Sequence, residues 1–102
     1  MDEKRLIFLL LLLARYSMRD AKWKLENLTQ DAADIFQTQA TLDEVRELAD
    51  GAHHRQAFVL ALEQVERYAG ECMEETEGSG DVFYKFKNIR ETCEHYLKKG
   101  MV

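Results

Sequence analysis

The sequence contains no proline and only five glycines in 102 residues. Proline and glycine are the strongest helix breakers, so their scarcity favours a chain that is nearly all helix. It has two cysteines, Cys72 and Cys93, with no nearby CxxC or histidine spacing. That excludes a zinc signature and a disulfide framework, and buried free thiols are expected. Cations are outnumbered, 14 Lys and Arg against 19 Asp and Glu, for a net charge of −5. That balance excludes general binding to a phosphate backbone, which needs clustered basic side chains. There is no Gly-rich phosphate loop, no nucleophile elbow and no Ser-His-Asp order. No segment alternates with period two, so no strand is expected. The longest apolar run, Leu6 to Ala14, is far short of the roughly 20 residues that span a bilayer. The preceding MDEKR balances two acids with two bases, and no small-x-small cleavage site follows. The run therefore reads as a helix half buried on all sides, in a cytoplasmic protein.

What is present is a row of apolar residues. Ile7, Leu11, Ala14, Met18, Ala21, Leu25, Leu28, Ala32, Ile35 and Leu42 follow steps of four and three, broken only at Gln39. This spacing lines one stripe of a helix and favours packing on a partner helix. It predicts one long helix from Asp2 to about Gln37, bent near Asn27 if anywhere. Thr41-Leu42-Asp43-Glu44 has the form of a capping box and predicts an N-cap at Thr41. A short helix follows with Val45, Leu48 and Ala49 inward, stopped at Asp50-Gly51. A further helix is expected from about Ala52 to Glu77, with Phe58, Ala61, Val65, Tyr68 and Cys72 inward. After the turn Gly78-Ser79-Gly80-Asp81, a last helix runs from about Val82 to Lys99, with Val82, Phe86, Ile89, Cys93 and Leu97 inward and Gly100 as its stop. The expectation is a single all-α domain over 1–102. It is a bundle of four to five helices with a long N-terminal helix and a C-terminal antiparallel pair.

Few residues carry chemistry. Adjacent His53 and His54 point about 100° apart on a helix and do not share a metal readily; His54, one turn before Phe58, reads as a structural histidine. Glu63 with Glu66, and Glu71 with Glu75, share helix faces, but no Glu-x-x-His pair accompanies them, so no di-metal bundle site is expected. No metal or other cofactor is expected.

Arg90 and His95, with four residues between them, resemble the Arg-x(4–6)-His motif of HEPN-domain ribonucleases. The resemblance implies a small helical protein that cleaves RNA without metal, with Arg90 and His95 paired across a dimer. Histidine can move a proton and arginine can stabilise developing phosphate charge. Glu91 and Glu94 flank the pair, however, and would repel RNA, which places this enzyme reading second.

The favoured reading is a non-enzymatic, acidic helical accessory protein: an adaptor, chaperone, inhibitor or immunity-type partner. Three apolar seams in a small chain predict a homo-oligomer, most simply a dimer, or a stable complex with another protein. The candidate contact residues are Leu10 and Leu11 of the leucine run, the aromatics Tyr16 and Trp23, and the acids Glu71, Glu74 and Glu75.

Overall fold

Asp2 starts the first helix. Its backbone is extended, and its carboxylate accepts from the Lys4 and Arg5 amides at 3.0 and 3.4 Å. Helix α1 then runs Glu3–Arg15, followed by a short 3-10 turn at Arg19–Ala21, α2 at Lys22–Phe36, α3 at Ala40–Ala49, α4 at Arg55–Glu75 and α5 at Asp81–Lys98. The computed structural model describes residues 2–50 and 53–98; within them, the side chains of Asp20, Trp23 and Ala40 lie outside the description. Among the described residues there is no strand. Because Asp2 satisfies amides that have no partner inside the helix, Asp2→Ala should cost about 1 kcal/mol. Urea unfolding at neutral pH checks this; an unchanged midpoint would contradict the cap.

The expected helix over 2–37 is two helices. Tyr16 closes α1, Met18 is extended (φ −81°, ψ 152°), and the chain turns before α2 begins. The reason lies in what α1 must hide. Leu6, Leu9, Leu10, Leu13 and Ala14 are all buried, an arc too wide for one neighbour. Breaking the chain lets α2 and α3 fold back onto α1 while α4 covers another side. Of the expected row in α1, Ala14 is buried, whereas Ile7 and Leu11 are only half-buried and Leu6, Leu9, Leu10 and Leu13 take the inward positions. Row members Ala21, in the 3-10 turn, and Leu25, Leu28 and Ala32, in α2, are buried as expected.

Two other boundaries also differ. Thr41 lies inside α3, whose preceding residue Gln39 provides no side-chain cap, so the capping box does not form. Helix α2 ends on Gln37 in the left-handed region (φ 55°), and the Thr38 amide donates to the Ala33 carbonyl at 2.9 Å. That closure leaves little chain before α3, which starts ahead of Thr41 and buries it. Leu48, expected inward, is 36% exposed, while Val45 and Ala49 are buried. The stops expected at Gly51 and Gly100 lie outside the described residues.

Helices α4 and α5 follow their apolar stripes. Phe58, Ala61, Leu62, Val65, Tyr68, Ala69 and Cys72 of α4 face Phe86, Ile89, Cys93 and Tyr96 of α5 across one core. Gly78 and Gly80 both take positive φ (83° and 66°), which reverses the chain between them. The pair is antiparallel: Phe58 meets Tyr96 edge-on at 6.3 Å, and Glu66 meets Arg90. Helix α1 runs antiparallel to α4 on one side, and α2 packs on α5 on the other. The α1–α4 contact is fixed at one end by a reciprocal bond. The Asp2 amide donates to the Tyr68 hydroxyl at 2.6 Å, and that hydroxyl donates to the Asp2 carbonyl at 2.9 Å. The Cα radius of gyration, 12.5 Å, is that of a close-packed domain of this length.

Candidate functional site

The candidate residues disperse over the surface and the core. Leu10 is wholly enclosed by its own chain, and Leu11 is half-buried against the same core. The stickiness that motivated a partner at Leu10 is thus met within one copy. Tyr16 closes α1, half-buried, with the His54 ring edge 6.0 Å away and the Arg15 guanidinium 5.7 Å from its ring. The Trp23 side chain lies outside the described residues. Glu71 is exposed and pairs with Arg5 at 3.3 Å, while the Arg5 guanidinium also stacks over Tyr68 at 4.3 Å. Glu74 and Glu75 are exposed near the C-terminal end of α4.

Arg90 and His95 do not converge within the chain. The Arg90 guanidinium lies against the Cα of Gly70, where an added Cβ would sit 3.4 Å from it. Its Nε donates to Glu94 at 3.0 Å and Glu66 at 3.3 Å, so its charge is countered by two carboxylates. It lines a groove between α4 and α5 with Glu66, Arg67, Gly70, Glu71 and Glu74. His95 opens instead onto a polar groove between α2 and α5 with Lys24, Asp31, Asn88, Glu91 and Thr92. Asp31 in that groove has its carboxyl raised above the ordinary value by partial burial, against the attraction of Lys85. Two grooves on different sides of α5 separate the acid–base candidate from the phosphate-binding candidate.

The histidines at 53 and 54 have work the spacing did not show. His54, expected on the inward row, is exposed; its Nδ1 caps α4 by accepting from the Ala57 amide at 3.5 Å. His53 Nδ1 donates to the Ser17 carbonyl at 3.0 Å, which ties the start of α4 to the α1–α2 break. Among the described residues, no group of three or more His, Cys, Asp or Glu side chains is placed to hold a metal ion.

Both cysteines are buried free thiols. Burial pushes the Cys93 thiol up from 9.0 to about 12, with Glu66 and Glu94 adding repulsion; burial also raises Cys72. A thiol held protonated is a poor nucleophile, so neither cysteine is set up for catalysis. The same shift predicts alkaline weakness. Below pH 9 both folded and unfolded states keep the Cys93 proton. Between 9 and about 12 only the unfolded thiol ionises, so stability falls as pH rises through that window. The slope is at most about 1.4 kcal/mol per pH unit for this thiol. Denaturant unfolding of wild type and Cys93→Ala at about pH 8 and pH 10.5 checks it; equal pH slopes in the two proteins would contradict it.

What remains on the surface are apolar side chains that the spacing did not single out. Phe8 and Leu60 are 59% and 58% exposed, and Tyr84 is equally open. Leu60 shares a groove between α1 and α4 with Arg5, Leu9, Glu63, Gln64 and Arg67. Phe8 is next to Leu9 in α1 but does not itself line that groove. Leu60 was detectable: it lies opposite the stripe of Phe58, Ala61, Leu62 and Val65. Phe8 was not, because a run apolar in every direction has no phase.

No protein-family model matches the chain, and comparison with curated proteins and with solved structures also gives no match. No helix among the described residues is long and apolar enough to cross a membrane.

Proposed function

We propose that this is a non-enzymatic helical accessory protein that acts in the cytoplasm through protein–protein contacts, as an adaptor, chaperone, inhibitor or immunity-type partner. The observation that carries the reading is the exposure of a large apolar side chain on each of α1 and α4. Phe8 and Leu60 stay open to solvent in a chain whose leucines are otherwise mostly enclosed. Large apolar side chains left in solvent on a small protein are candidates for contact with a partner. The neutral, buried thiols suit a reducing compartment. Arg90, whose charge is countered by Glu66 and Glu94, supports a binding role over RNA cleavage.

The test is affinity purification of the tagged full chain beside Phe8→Glu and Leu60→Glu, with an RNA-cleavage assay on the same preparations. The expected result is a polypeptide bound in fixed stoichiometry, either a second copy or another protein, and lost in both variants. RNA cleavage that disappears in His95→Ala and Arg90→Ala, with no stoichiometric polypeptide, would replace this reading with the ribonuclease.

A further inference from the structure

We infer that α1 is an exchangeable arm. The break at residues 16–21 straightens, α1 and α2 become one helix, and α1 of each copy docks in the seat that the other copy's α1 fills in the single chain. This goes beyond the contact-protein reading and does not rest on it, because it uses the buried side of α1 and not the exposed Phe8 and Leu60.

The break is weakly specified. It holds no proline or glycine, and Ala14, Met18, Ala21 and Leu25 keep steps of four, three and four straight through it, the spacing of one uninterrupted helix. Neither the 3-10 turn nor α2 has a side-chain cap. Lys22 and Lys24 stand in the first turn of α2, at the positive end of its dipole, and that turn has no acid. The Ser17 hydroxyl is buried without a partner among the described residues, a costly arrangement. A continuous helix answers each point. It needs no cap at Ala21, it places both lysines in mid-helix, and it brings the Ser17 hydroxyl within reach of the Leu13 carbonyl four residues back. Thr29 and Thr92 make that bond in their own helices, both at 2.8 Å. Against this, Arg15 suits the C-terminal end of α1, and His53 Nδ1 holds the Ser17 carbonyl at 3.0 Å. In a continuous helix that carbonyl takes the Ala21 amide, which in the break donates to the Met18 carbonyl.

Straightening requires exchange. One helix from Glu3 to Phe36 is about 50 Å long, more than the greatest extent of the folded chain, 37 Å. Helix α1 then leaves its own α2, α3 and α4. Leu6, Leu9, Leu10 and Leu13 are buried in that cluster, and exposing them to water is strongly unfavourable. A second copy opened in the same way offers them an identical seat. Every contact is remade between copies: the leucines in the core, Asp2 on the Tyr68 hydroxyl, and Arg5 on Glu71. No complementarity is needed beyond what the single chain shows. The loss is that of the short tether, which holds α1 over its own seat at an effective concentration on the order of millimolar. Exchange is therefore expected where chains fold together at high concentration.

Refolding of the full chain from urea at about 1 mM and at about 10 µM, followed by gel filtration with light scattering, tests this. The concentrated sample should contain a dimer that survives dilution, because reversal requires α1 to leave the core; the dilute sample should be monomer. Amide exchange at residues 17–22 should be fast in the monomer and as slow as in α1 and α2 in the dimer. Arg19→Pro is the discriminating variant. Arg19 is exposed and opens the 3-10 turn, and Met18 before it is already extended, so a proline fits the break. In a continuous helix the same proline is internal, and dimer yield should fall about a hundredfold or more while the monomer still folds. His53→Ala should raise the yield, and Phe8→Glu and Leu60→Glu should leave it unchanged. The inference is overturned if the concentrated sample gives no dimer, if the dimer is indifferent to Arg19→Pro, or if its residues 17–22 exchange as fast as in the monomer. A dimer lost in Phe8→Glu or Leu60→Glu overturns it too, and supports surface contact instead.

Discussion

Leu10→Lys should leave the protein unfolded, whereas Phe8→Lys, on the same helix, should leave it folded. Leu10 has no exposed surface and belongs to the central cluster; Phe8 is 59% exposed. Truncating a buried leucine costs roughly 2–5 kcal/mol from lost burial and the cavity left behind. Placing an ammonium there adds the cost of desolvating a charge with no partner, several kcal/mol more. A domain of this size holds only about 5–15 kcal/mol in total, so the sum consumes most or all of it. Leu11→Lys should fall between the two, because Leu11 is half-buried and a long side chain can carry its charge to the surface. Far-UV circular dichroism and amide exchange at 25 °C, taken on all three variants, separate these outcomes. A folded Leu10→Lys protein with native-like protection in α1 would show that the α1 register described above is wrong. Such a measurement also divides the two reasons a leucine-rich helix can be sticky. If Leu10 served a partner instead of its own core, the lysine would abolish association and spare folding.

Phe86→Ala should lower stability by about 3–5 kcal/mol, near the upper limit for a single truncation. Phe86 is fully enclosed, and it sits on α5, the helix that packs on both α4 and α2. Phe86 belongs to the central buried cluster, so its truncation leaves a cavity that the packed helices around it fill only in part. The expected fall in melting temperature is about 4–8 °C for each kcal/mol, so roughly 12 °C at the least. Tyr84→Ala, on the same helix but 59% exposed, should change stability by less than about 0.5 kcal/mol. Thermal unfolding followed at 222 nm gives both numbers in one experiment. Equal losses in the two variants would mean that the inward face of α5 has been misassigned. The pair also bears on function, since an exposed Tyr84 whose removal leaves the fold intact can be screened for binding without ambiguity.

The helices that sequence reasoning located best are those with one wet face. Along α4, Phe58, Ala61, Val65, Tyr68 and Cys72 recur at three and four, while Glu63, Arg67, Glu71 and Glu74 take the opposite side. The burial pattern is then dictated residue by residue, because only one rotation of the helix hides the apolar atoms and hydrates the charges. The turn at Gly78 and Gly80 was legible for a similarly local reason: both adopt a positive φ that other residues reach only with strain. The free thiols were legible as well, each lying on an inward stripe.

Tertiary packing decided the rest. Leu6 to Leu13 is apolar in every direction, so its own pattern allows several rotations of nearly equal merit. The row through Ile7, Leu11 and Ala14 was one of them, but α2, α3 and α4 select Leu6, Leu9, Leu10 and Leu13, and of that row they bury Ala14 alone. The break after Arg15 has no proline or glycine to announce it. It forms because a wide apolar arc needs neighbours on several sides, and His53 stabilises it from a distance through the Ser17 carbonyl. The capping box at Thr41 lost to the left-handed closure at Gln37, which controls where the next helix can begin. The candidate site shows the same division. The sequence by itself determined that the chain is helical, acidic and without a common catalytic motif, since those follow from composition and periodicity. Only the folded chain decided that Arg90 is held by Glu66 and Glu94 while His95 opens elsewhere, and that Phe8 and Leu60 are left in solvent. Residues far apart in sequence meet only where packing brings their helices side by side, and no local pattern records which face a helix has left over once its neighbours are in place.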